Sequence, residues 1–273
     1  MKRQWLLILG LWLSSLVFAT DHPQSTGELP GRFVINKEGG KVCFSQGNLR
    51  CNISAGTKTW SFAPHQYDIL GTNNDFNTCI DLFGWSGKTK QTFGVSSNAG
   101  AADYAGDFLD WGQNAITNGG NTMLLWRTLT AAEWEYLYNN HDKKQLRIND
   151  VGGVILLPDN CTLTLADIAD KYTAEAWTAI EAKGVLFIPY AGTRSGTTVN
   201  IKDEEGCYWS SDKAKSTMTA TAVELHPLVK LSVSTTRSKG YAVRLVKDVE
   251  DCQVKITVNK NIQEAGTITF DVK

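Results

Sequence analysis

After Phe18 the chain has no run of apolar residues long enough to cross a bilayer, which takes about 20 in succession. It has no basic stripe either. The 27 Lys and Arg are matched by 28 Asp and Glu, so the electrostatic footprint of a nucleic-acid binder is missing. Cys-x-x-Cys pairs are absent, which argues against a zinc site. There is no Gly-x-Ser-x-Gly nucleophile elbow, and Gly87-Lys88 stands outside any phosphate-cradling context. Histidine is scarce. His22, His65, His141 and His226 are scattered, and none has a second histidine within helical reach.

The N-terminus reads as a secretory signal peptide. Lys2 and Arg3 precede an apolar run from Trp5 to Phe18, and a small residue, Ala19, stands at the expected cut. Residues 1–19 are expected to be removed, leaving 25 basic and 28 acidic residues, a formal charge of -3. An exported product follows, located in the periplasm, at the cell surface or outside the cell, with no membrane span after cleavage. Export also permits disulfides. Cys43, Cys51, Cys79, Cys161, Cys207 and Cys252 allow fifteen pairings, and the sequence does not choose among them. Cys43 and Cys51 flank a turn at Gln46-Gly47-Asn48 and could face each other across a hairpin.

Residues 20–31 are a polar leader, and short strands follow. Phe33–Ile35, a hairpin of Lys41–Gln46 with Asn48–Ile53, and Thr59–Phe62 are expected. Gly71–Gly120 has little periodicity and much Gly, Asn, Asp and Ser, yet Trp85 and Trp111 lie inside it. Such aromatics point to an ordered loop region packed by its own side chains. Thr130 and Glu133 make a capping box, so a helix starts there with Trp134, Leu137 and Tyr138 as its buried stripe. Thr173 caps a second helix with Trp177 and Ile180 inward and Gly184 at its end. Gly152–Pro158 and Gly184–Pro189 are apolar strands halted by proline. Alternating strands follow at Ala220–Leu225, Leu228–Ser234 and Tyr241–Val246. Residues 248–273 form a short β-rich tail, too small for a core of its own. Two helices among many short strands make the class α+β.

Four segments in order carry a family resemblance. They are Phe44-Ser-Gln-Gly-Asn48, Asp81-Leu-Phe-Gly-Trp85, Trp126-Arg-Thr-Leu-Thr-Ala-Ala-Glu-Trp-Glu-Tyr136, and Gly206-Cys-Tyr-Trp-Ser-Ser211 with Gly240-Tyr-Ala-Val-Arg-Leu-Val246. Together they resemble the C-type-lectin-like fold as found in formylglycine-generating enzymes, retroelement variable proteins and Bacteroides-type secreted proteins. The third segment departs from the family pattern in having no proline before Thr130. The resemblance implies a domain over residues 32–247. It would have two helices flanking a twisted, mostly antiparallel sheet, with its N- and C-terminal strands adjacent and long loops on one face.

That scaffold carries both oxidase chemistry and pure recognition, so local residues decide. The resemblance implies, for the enzymes, a close cysteine pair binding copper in the last third of the domain. Here Cys207 and Cys252 have 44 residues between them. The iron-dependent members need a histidine cluster that this chain lacks. Calcium-dependent lectins use Glu-Pro-Asn or Gln-Pro-Asp with Trp-Asn-Asp to supply hard oxygens. Trp209-Ser-Ser-Asp212 only approximates the latter, and Asp203-Glu-Glu205 reads as a solvated turn. No cofactor or metal is expected, and no catalytic residue. Recognition remains, since the retroelement proteins display variable side chains from this part of the scaffold. The candidate ligand-binding residues are Asp212, Lys213, Lys215, Glu224, His226, Lys230 and Arg237, with an extracellular protein or glycan as partner. Two alternatives stay open. One is a formylglycine-generating-enzyme-like oxidoreductase with an atypical site. The other is a structural adhesin or surface-assembly component in which residues 250–273 dock a partner strand.

Overall fold

A computed structural model describes residues 26–159, 161–200, 205–225 and 228–249. His22, Asp203, Glu204, His226 and residues 250–273 of the expected tail, Cys252 among them, lie outside them, whereas Asp248 and Val249 belong to the last described strand. The chain runs through β1 (Phe33–Val34), β2 (Lys41–Phe44), β3 (Leu49–Ser54), β4 (Thr57–Phe62) and β5 (Cys79–Ile80). A long loop region leads to β6 (Arg127–Thr128) and helix α1 (Ala131–Asn140). Next come β7 (Lys143–Ile148), β8 (Val151–Leu156), β9 (Lys171–Tyr172), α2 (Ala174–Glu181) and β10 (Leu186–Pro189). The last stretch holds β11 (Thr193–Ser195), β12 (Thr198–Asn200), β13 (Cys207–Lys213), β14 (Thr219–Glu224), β15 (Lys230–Thr236) and β16 (Leu245–Val249).

The architecture is α+β: two helices and several mostly antiparallel sheets. Strand orders are β1-β2-β16-β6, β4-β3-β5, β10-β8-β7-β9, β13-β14-β15 and the pair β11-β12. The single parallel pairing between these strands is β7 with β9. Near the start of the described chain, β2 pairs with β16, setting Phe44 opposite Val246 and Lys41 opposite Val249.

Both expected helices form for the reasons legible in their caps. Thr130 Oγ1 accepts the Glu133 amide at 3.2 Å, and Glu133 Oε2 accepts the Thr130 amide at 2.7 Å. Trp134 and Leu137 are buried, and Tyr138 is half-buried. Arg127 reaches Glu133 at 2.9 Å and Asp248 at 2.8 Å, tying the start of α1 to β16. In α2, Thr173 caps the Ala176 amide at 3.2 Å and Trp177 is buried. Gly184 follows with φ +85°, where a Cβ would strike Gly31, so no other residue fits without shifting backbone.

The expected hairpin of Lys41–Gln46 with Asn48–Ile53 does not form. Ser45 N donates to Leu245 O at 3.0 Å and Leu49 N to Val243 O at 2.9 Å. β2 and β3 therefore run on, with a break at Gln46–Asn48, along one side of the closing segment. They join different sheets. Cys43 sits opposite Lys247, while Cys51 sits opposite Trp60 and Ile80. The two sulfurs are not bonded, and Cys43, Cys51, Cys79, Cys161 and Cys207 are all free.

Three apolar clusters hold these sheets together. One gathers Phe33, Phe44, Trp134, Tyr208 and Val246 beneath α1. A second gathers Trp60, Phe83, Trp85, Trp111, Trp126 and Trp209. The third packs Trp177 of α2 on Ile148, Ile155 and Phe187. All seven tryptophans after Ala19 are buried. Each burial of this size stabilises by roughly 2–3 kcal/mol before entropy is counted.

Candidate recognition surface

The described candidate residues lie on or beside β13–β14–β15. Their sheet is pinned from below. Trp209 Nε1 donates to Phe83 O at 2.6 Å, and Trp85 Nε1 donates to Ser210 O at 3.1 Å. Tyr208 is buried against Trp134 of α1 with ring centroids 5.9 Å apart. Both faces of β13 are thus engaged over Cys207–Ser210, whose burial is continuous. Rigid backing of this kind limits the entropy lost when exposed groups bind.

Register sets the described candidates at two ends of the sheet. At one end Lys213 is opposite Ala220, and at the other Glu224 is opposite both Cys207 and Lys230. Four residues of β14 separate these ends, about 13 Å at the usual rise. Lys230 Nζ meets Glu224 Oε2 at 3.0 Å, so the structure brings these two together. Tyr241 also donates its hydroxyl to Glu224 Oε1 at 3.2 Å. At the far end Lys213 reaches Asp107 Oδ1 at 2.7 Å, with both side chains exposed. That hydrogen bond and charge hold the Asp107 carboxyl below its usual range. Lys215 is exposed on the turn between β13 and β14.

Two of the seven are structural supports. Asp212 Oδ2 accepts the Ala131 amide at 2.6 Å, satisfying a donor in the first turn of α1. Arg237 is buried at 2% exposure. Its Nε donates to Thr219 O at 3.1 Å, and its Nη1 donates to Gly106 O at 2.9 Å and Tyr104 O at 3.2 Å. The guanidinium also lies over the Trp85 ring, 4.4 Å from its centroid. Burial pulls the Arg237 pKa down. Arg237 thereby clamps the long loop to the sheet that displays the other residues. His226 lies outside the described residues.

Sequence reasoning passed over the outer face of β15, where Ser232, Ser234 and Thr236 alternate as exposed positions with Leu231, Val233 and Thr235. The alternation expected over Leu228–Ser234 is present, but these hydroxyl side chains are not among the seven candidates. Asp107 had no local signal, because its partner Lys213 is 106 residues away.

The residues weighed for redox or metal chemistry are placed differently. Cys207 is buried, and burial followed by the Glu224 charge pushes its thiol up to about 12. Burial likewise pushes Cys51 to about 12 and Cys43 to about 11. Thiols so shifted carry little thiolate at neutral pH and are poor nucleophiles. His65 is on the surface, 3.1 Å from Asp68 and stacked on Tyr67. His141 closes α1, with Nδ1 3.0 Å from Leu137 O. Among the described residues, no group of three His, Cys, Asp or Glu side chains is placed to hold a metal ion. Two open clefts flank α1. One of about 310 Å³ is bordered by His141, Asp159 and Cys161, and one of about 490 Å³ by Asn36, Glu38 and Tyr136.

An α+β chain with two capped helices and several mostly antiparallel sheets is the class these observations define. Residues 87–246, more than half of the chain, match the family model described as Domain of unknown function (DUF8237). The chain belongs to that family. The matched span covers β6 through β15, the first two residues of β16, and every candidate residue named above. No curated protein and no solved structure matches the chain.

Proposed function

We propose that this is an exported, non-catalytic protein whose C-type-lectin-like domain binds an extracellular protein or glycan. Binding would use the exposed residues of β13–β15 and their flanking loops. The supporting observation is the division of labour within one sheet. Arg237 and Asp212 are spent on holding the loop and α1 in place. Lys213, Lys215, Lys230, Ser232, Ser234 and Thr236 stand exposed above them. Polar groups on a backbone fixed from below can vary without disturbing the core, which suits recognition. The buried, proton-retaining thiols fit a non-catalytic scaffold better than a redox centre.

Two measurements test this. Metal analysis with thiol titration on the purified chain is expected to find no stoichiometric copper or iron. A stoichiometric redox metal lost on removing Cys207 would overturn the reading. On an array of immobilised glycans and surface proteins, joint replacement of Lys213, Lys215 and Lys230 by Ala is expected to abolish the selected signal. An unchanged signal would place binding elsewhere.

A further inference from the structure

β15 has β14 on one side and, among the described residues, no strand on the other. Its seven residues, Lys230-Leu-Ser-Val-Ser-Thr-Thr236, are rich in β-branched side chains and contain no proline. An open edge presents a row of N–H and C=O groups that can template another strand. Proteins usually blunt such edges with charge, proline or a bulge. Here the single charge, Lys230, stands at the first position and is held by Glu224. The register irregularity against β14 lies between Ala222 and Glu224, opposite the first half of β15. From Val233 to Thr236 the ladder is regular: Val233 faces Ala222, Ser234 faces Thr221 and Thr236 faces Thr219.

The ends of this strand are apolar. Among the described residues five large hydrophobic side chains are exposed, and three of them flank β15. Leu228 (71% exposed) and Val229 precede it, and Met218 stands beside its far end, where Arg237 N donates to Met218 O at 3.1 Å. Exposed apolar groups at both ends of an open-edged strand, with Met218 on its β14 side, mark an interaction surface rather than a random scatter.

We infer that a second copy of this chain pairs with the open edge of β15. The pairing is antiparallel, about a twofold axis through Val233, and joins two three-stranded sheets into one. A twofold interface must be self-complementary, and this strand meets that condition. With the axis at Val233, Ser232 stands opposite Ser234, Leu231 opposite Thr235 and Lys230 opposite Thr236. No like charges oppose each other, and small polar groups meet in the middle. The same operation carries Leu228 and Val229 of each copy to the end of the partner strand where its Met218 is exposed. One strand pair with three apolar side chains a side is a small interface. The dimer is therefore weak and reversible, and it sets two displayed faces side by side for bivalent binding. Self-association does not depend on the ligand reading, since it needs only the edge.

Sedimentation equilibrium on the purified chain over a rising concentration series tests the inference. The expected mass climbs from the monomer value towards twice that value. The paired variant Ser232→Lys with Ser234→Lys puts like charges opposite each other and is expected to stay at the monomer mass. Its circular dichroism and Tm should match the parent, since both positions are exposed. Mixing it with the Ser232→Glu, Ser234→Glu variant sets Lys opposite Glu and should restore the doubled mass, a result a misfolded variant could not give. A parent that stays monomeric throughout, or paired variants that each dimerise as well as the parent, would overturn the inference. So would a monomer whose β15 amides lose exchange protection when residues 250–273 are deleted, because the chain's own tail would then occupy the edge.

Discussion

Gly71–Gly120 and β15 reverse the usual relation between regular structure and burial. The loop segment holds only short strand and 3-10 pieces, yet it buries Ile80, Phe83, Trp85, Tyr104, Trp111 and Ile116. Its aromatic hydrogen-bonding groups are also satisfied, as where Trp111 Nε1 donates to Phe93 O at 2.6 Å and Tyr104 donates its hydroxyl to Ser96 O at 2.8 Å. β15 is seven residues of continuous strand, and not one of its side chains is fully buried. Irregular backbone here does the work of a core, and regular backbone the work of display. Arg237 joins them, bonding to loop carbonyls at Tyr104 and Gly106 and lying just beyond the end of β15.

If the loop is core, substitutions in it should cost far more than substitutions on β15. Trp85→Ala should show the largest effect, a loss of about 4 kcal/mol in denaturant unfolding, as for other large-to-small core changes. Arg237→Ala should follow at about 3 kcal/mol, since three carbonyls lose a charged donor and Trp85 loses its cation. Arg237→Lys should recover only part of that loss, because a compact ammonium lacks the planar fork that reaches Thr219 O from Nε and the loop carbonyls of Tyr104 and Gly106 from Nη1.

Alkaline pH separates the regions in another way. Cys51 and Cys207 pack in the same cluster as the loop tryptophans, and burial raises both thiols to about 12 from an unfolded value of 9.0. The folded state keeps protons that the unfolded state releases. Their contribution is complete below pH 9.0 and declines from there towards about 12. Each thiol then costs up to about 1.4 kcal/mol per pH unit. Replacing Cys51 and Cys207 by Ala should flatten the fall in urea midpoint between pH 9 and 10. A slope unchanged by both replacements would show that the thiols are not buried as described. Thr130→Ala, which removes one cap from α1, should cost about 1 kcal/mol. Ser234→Ala on β15 should change stability by less than about 0.5 kcal/mol.

Much of this contrast was legible in the sequence, but unevenly. Both helices could be located because their caps are local: Thr130 with Glu133, and Thr173 at the start of the second stripe. The tryptophans inside Gly71–Gly120 announced an ordered loop. The hairpin through Gln46–Asn48 was misread because a turn-like tripeptide cannot say which strand will claim its flanks. Val243 and Leu245, nearly 200 residues on, take those hydrogen bonds. β7 was overlooked because Lys143-Lys-Gln-Leu-Arg-Ile148 buries only Leu146 and Ile148 and carries three cations. The candidate surface was located by segment, but its sorting was hidden. Arg237 and Lys230 are alike as sequence, and only their environments separate a buried clamp from an exposed surface cation.

The most direct test compares two thermal unfolding measurements. In one, Lys213, Lys215, Lys230, Ser232, Ser234 and Thr236 are all replaced by Ala; in the other, only Arg237 is. The six-residue variant should keep its Tm within about 2 °C of the parent, because exposed ion pairs contribute little. The single variant should fall by about 10 °C. The opposite ranking would mean that the outer face of β13–β15 holds the fold together, and the display account would be wrong.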